Sequence, residues 1–125
     1  MKTNELTDIA LDWAVAKCKG ATELWFDTVA THWIKLDGKD RALSKGWSQS
    51  FTPSTDWEQG GPIIEREGIS LDQYHDFPNW AASCPPESGF NWFGPTPLIA
   101  AMRCYVASKL GDDVEIPTEL LGETK

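Results

Sequence analysis

The stretch GPTPLIAAMRCYVASKLGDDVEIP, Gly94 to Pro117, carries the start, body and stop of one helix. Thr96 is a good cap, and Pro97 suits the first helical position, where a missing N–H costs nothing. Gly111 and Pro117 mark the end. Between them Leu98, Ile99, Met102, Tyr105, Val106 and Leu110 recur at helical spacing and form one apolar stripe. Ala100, Ala101 and Ala107 leave room for close approach by a neighbouring element. The spacing therefore predicts a helix from Thr96 to Leu110 lying on a sheet.

Working upstream, Phe90–Phe93, Trp80–Cys84 and Ile69 to about Tyr74 read as short strands. The loops at His75–Asn79 and Pro85–Gly89 are tight enough for an antiparallel meander. Thr55-Asp56-Trp57-Glu58 matches a capping box, so a helix begins there. Gly60-Gly61-Pro62 is read as a break that restarts a helix through Ile63 and Ile64 to Arg66, closed by Gly68. The same glycines also suit a ligand-binding turn, since they let a ligand approach the backbone, but no phosphate-loop spacing is present. A first helix spans about Leu6 to Cys18, with Leu6, Ile9, Ala10 and Trp13 inward and Asp8 and Asp12 on a solvated face. Residues 21–50 fit a helix by spacing but are rich in β-branched residues, and are read as two short strands. Asp37-Gly38 is a strong turn signal. Lys39–Ser50 reads as an exposed loop carrying Trp47. Beyond the last helix, Asp112–Pro117 is an acidic extended tail, and 118–125 is expected to be loosely held.

At 125 residues the chain has the length of one domain, with ordinary fractions of hydrophobic (41%) and charged (24%) residues. A formal net charge of −8 disfavours direct binding to nucleic acid or to an anionic membrane. No run approaches the ~20 apolar residues of a membrane span. The acids in MKTNELTDIALDW are unlike a signal peptide, which points to a cytosolic protein. Cys18, Cys84 and Cys104 lack metal-site spacing and are odd in number, so three free thiols are expected. Seven tryptophans are the compositional oddity, and tryptophan marks binding surfaces.

Catalytic signals are sparse. His75-Asp76 invites comparison with a metal phosphohydrolase, but His32 is the only other histidine, and a turn in which Asp76 caps the backbone is the simpler account. No metal, cofactor or catalytic set is expected. Arg103 either covers apolar surface with its stem and pairs its head with an acid, or stands at the rim of an aromatic pocket where it grips a phosphate or carboxylate. Trp57 is either a buried staple fixing the helix entry or an exposed stacking platform beside a helix N-terminus. The candidate ligand-binding residues are Trp57, Gly60, Gly61, Arg66, Arg103 and Tyr105.

PSTDWEQGGPIIEREGIS (Pro53–Ser70), the Gly94–Pro117 stretch and ELTDIALDWAVAKCKG (Glu5–Gly20) resemble the NinX-like family of tailed-phage proteins. The first two also look like the broader phage α/β-sandwich domain. Residues 21–50 depart from the likeness. The resemblance implies a small α+β domain from a phage or prophage, with no assigned activity. The expectation is thus one α+β domain over 1–125, with about three main helices on a small antiparallel sheet. Functionally, a phage accessory protein in the host cytoplasm is expected to antagonise host defence by binding a nucleotide-like signalling molecule. The alternatives are an acidic inhibitor of a basic host defence protein and a small enzyme of nucleotide metabolism using His75 and Asp76. Homo-oligomerisation is left open.

Overall fold

The computed structural model describes residues 1–26, 31–73, 80–84, 92–117 and 120. The fold is α+β, with α1 (Asp8–Cys18), α2 (Trp57–Glu67) and α3 (Pro97–Leu110). Its strands are β1 (Leu24–Phe26), β2 (His32–Leu36), β3 (Lys39–Ala42), β4 (Ser70–Gln73), β5 (Trp80–Ser83) and β6 (Trp92–Gly94). They divide into two antiparallel three-stranded sheets, β1-β2-β3 and β4-β5-β6, where one sheet was expected.

The central helix is α3. Its cap is the expected one, with Thr96 Oγ1 accepting from the Ile99 N–H at 3.1 Å. Residues from Leu98 to Val106, apart from the half-buried Ile99, are buried around the whole helix. A helix apolar on all sides needs cover on all sides. Here α1, α2 and the β4–β6 sheet supply it. Leu110, assigned to the inward stripe, is instead 40% exposed at the frayed end.

Helix α2 corrects the sequence reading. It is continuous from Trp57 to Glu67, with Pro62 inside it and Gly68 ending it in the left-handed conformation. Proline there removes one helical hydrogen bond and crowds the Glu58 carbonyl. Both residues are exposed, so water can serve that carbonyl. The cap is Asp56, one residue later than the expected Thr55. Its Oδ1 accepts from the Glu58 N–H at 3.0 Å and its Oδ2 from Gln59 Nε2 at 3.0 Å.

The described residues between 21 and 50 form three strands, not two. Asp37-Gly38 makes the β2–β3 turn with φ of 55° and 77°, the left-handed pair that a two-residue hairpin needs. Lys39–Ala42, read as loop, is strand β3, held in register by Lys35↔Asp40 and Trp33↔Ala42. Lys39 and Asp40 face water, which is why the sequence hid it. Ile34 and Leu36 enter the core. Trp33 and Trp25 are register partners on the opposite face, where the Trp47 ring meets Trp33 edge-on at 5.2 Å.

One further reading is corrected. The sulfurs of Cys84 and Cys104 are joined across β5 and α3, with Cα atoms 6.5 Å apart, leaving Cys18 as the free cysteine. Only the fold brings these two together. The extended segment Asp112–Pro117 is held against the chain start, and of the expected loose stretch 118–125 only Leu120 is among the described residues. Met1 and Val114 exchange bonds of 2.8 Å, the Thr3 N–H donates to Asp112 O at 3.0 Å, and Leu120 is buried.

Candidate functional site

Helices α2 and α3 begin side by side and run the same way. Gly60 packs on Leu98 near their starts, and Arg66 reaches Tyr105 near their ends. Between the two starts lies a cleft of about 240 Å³ lined by Ser54, Thr55, Trp57, Thr96, Pro97, Leu98 and Ile99. One wall is the indole of Trp57, 54% exposed and therefore no buried staple. The other is the first turn of α3.

Each helix start offers one N–H without an acceptor among the described residues. In α2 the Asp56 side chain takes the Glu58 N–H and its carbonyl takes those of Gln59 and Gly60. That leaves Trp57. In α3 Pro97 has no N–H, Thr96 caps Ile99, and the Ala100 N–H bonds Thr96 O. That leaves Leu98. Parallel helices place two positive dipole ends together, each equivalent to about half a charge, and an anion relieves the mutual repulsion. Among the described residues no arginine or lysine lines the cleft.

The segment entering α2 is pinned from below. The Ser54 N–H donates to Asp12 Oδ1 at 2.8 Å, and the Thr52 N–H donates to Gln59 Oε1 at 2.9 Å. Asp12, expected on a solvated face, is 3% exposed. Burial pushes its pKa up to about 7, and Asp8 adds to the rise. The Ser54 N–H and hydroxyl and the distant Lys45 oppose it. Ser54 Oγ is sealed from solvent, with the Asp12 carboxyl as its polar neighbour.

The six residues singled out from the sequence separate into four groups. Trp57 lines the cleft, and Gly61 lies on the next turn, where an added Cβ would come no nearer than 3.9 Å to the indole. Gly60 is a packing glycine. A Cβ there would stand 2.5 Å from Pro53 O and 2.6 Å from Leu98 Cδ2. Arg103 is 7% exposed, donating through Nε to Leu6 O at 2.9 Å and through Nη1 to Phe93 O. It pairs with backbone carbonyls instead of an acid, and burial lowers its pKa. Arg66 and Tyr105 meet at the far end of the helix pair, nine residues and about 13 Å along α2 from Trp57. There Arg66 Nε also pairs with Glu67 Oε2 at 3.2 Å, and burial raises the Tyr105 hydroxyl pKa.

His75 and Asp76 lie outside the described residues. Among the described residues no group of three or more His, Cys, Asp or Glu side chains could hold a metal ion, and no helix is long and apolar enough to cross a membrane. Sequence reasoning missed Ser54, Leu98 and Asp12. Nothing local marks Ser54, and Asp12 acquires its partner 42 residues away.

Fold and cleft together define a small α+β protein with one aromatic-walled cleft between two helix starts. A model of the family described as "Bacteriophage P22, NinX" matches residues 2–109, and the chain belongs to that family. It is thus a phage accessory protein. No curated protein matches the chain.

Proposed function

We propose that this phage accessory protein is a non-catalytic binder that holds a small nucleotide-like signalling molecule in its cleft. In the host cytoplasm, sequestering such a molecule antagonises a defence system that depends on it. The observation that carries the reading is the exposed Trp57 indole standing beside two unoccupied helix N–H groups. The indole is a stacking surface for a base, and the helix starts suit a phosphate. A volume of about 240 Å³ has room for a base lying over the ring, with the rest of a mononucleotide extending from the cleft mouth. Arg66 and Arg103 play no part, so the phosphate is held by backbone dipoles.

Calorimetry with 3′,5′-cyclic AMP as the first probe, followed by other cyclic mononucleotides, tests this. Trp57→Ala should cost roughly 1–3 kcal/mol of binding with the melting temperature nearly unchanged. Wild-type protein that binds none of these probes sinks the reading.

A second reading is favoured by the charge distribution. Residues 21–50 carry four acids and four bases, so the formal −8 falls wholly on the rest of the chain, which bears all three helices. An acidic surface of this kind suits an inhibitor that blocks a basic host defence protein. Such binding would weaken steeply with salt and survive Trp57→Ala.

A further inference from the structure

We propose that Asp12 controls the cleft: a proton on its carboxyl and an anion bound between the helix starts favour one another through the Asp12–Ser54 contact. The proposal rests on the cleft being an anion site, as argued above.

The geometry is direct. Ser54 lines the cleft, its N–H bonds Asp12 Oδ1 at 2.8 Å, and both residues are buried. The carboxyl therefore sits one residue behind the cleft wall, where solvent screens it poorly. Three groups bear on it: Asp8 from its own helix, the Ser54 N–H and hydroxyl from the segment entering α2, and Lys45 from the loop after β3. Burial outweighs the favourable contacts, so the group changes charge near neutral pH.

The two protonation states differ in charge more than in shape. Ionised, Asp12 places a negative charge behind the anion and opposes it. Protonated, its carbonyl oxygen still accepts the Ser54 N–H, so the wall keeps its anchor. The Ser54 hydroxyl, which favours the ionised carboxylate, can reverse its role and accept from the acid O–H. Protonation thus removes the repulsion without dismantling the site. Linkage makes the effect reciprocal, so a bound anion raises the affinity of Asp12 for its proton.

The test has a ligand-free arm and a binding arm. In 15N–1H spectra of the free protein, the Ser54 amide and the Trp57 indole N–H should both titrate with a midpoint near pH 7. Both should stay still in Asp12→Asn, which keeps an acceptor for Ser54 and mimics the protonated acid. Cyclic AMP, whose phosphodiester holds one charge throughout, should bind on the order of tenfold tighter at pH 5.5 than at pH 8.5. Asp12→Asn should bind at the tight limit at every pH. Binding without pH dependence in wild type, or a Trp57 signal blind to pH, overturns the proposal. Titrating signals with no cyclic AMP binding at any pH overturn the nucleotide reading and the linkage with it, whereas pH-independent binding overturns the linkage alone.

Discussion

At one end of the α2–α3 pair, backbone N–H groups and an exposed indole line a cleft. At the other, Arg66, Glu67 and Tyr105 are gathered where the side chains serve one another. Judged by residue type alone, the second end has the richer chemistry, with a guanidinium and a phenol. Yet Arg66 is already paired there and Tyr105 is 3% exposed. The first end has no cation and offers what a ligand can use: open backbone donors, a flat ring and space. Ligand capacity here follows from what folding leaves unsatisfied.

The contrast can be broken between the two ends, at the residues that hold the elements together. Arg103→Ala should have the largest effect. It removes the guanidinium donors that bond the carbonyls of Leu6 and Phe93 and empties a packed position, for a loss of about 3–5 kcal/mol in chemical denaturation. A near-neutral result would mean that the guanidinium is free for a ligand after all.

Asp12 comes next. Its pKa is raised in the fold from 3.8 to about 7, so between those values the native state binds more protons than the unfolded chain. The associated stability is full below about pH 4, declines as pH rises, and is gone above about pH 7, a span of about 4 kcal/mol. Denaturation curves of wild type and Asp12→Asn, taken in parallel across that range, should diverge by this slope. Parallel curves would place Asp12 in water.

The neighbouring glycines give a finer test. Gly60→Ala drives a methyl into the Pro53 carbonyl, which is backbone and cannot swing aside, and should cost about 1–3 kcal/mol. Gly61→Ala meets nothing closer than 3.9 Å and should stabilise the helix by about 0.5–1 kcal/mol. Equal effects would restore the broken helix that the sequence implied.

How much of this was legible depends on the range of the interaction. Thr96-Pro97 and Asp37-Gly38 declare a helix start and a hairpin locally, and both form as read. The β4–β6 meander follows from period-two patterning and short connections. Strand β3 was hidden because Lys39 and Asp40 face water, so their polarity resembles a loop. The unbroken α2 was hidden because Gly60 takes its reason from Pro53 and Leu98 instead of from a turn. Of the candidate site, Trp57 was legible as an oddity of composition beside a helix start. Its partners Ser54 and Leu98, and the buried Asp12 behind them, depend on contacts that no local spacing records.

The measurement that bears most directly on the cleft is a 15N–1H titration of wild-type protein with cyclic AMP. Saturable shifts are expected at the Trp57 indole N–H and at the Trp57 and Leu98 amides, with the Arg66 side chain and the Tyr105 amide unmoved. Shifts centred on Arg66 and Tyr105, with Trp57 and Leu98 silent, would contradict this expectation.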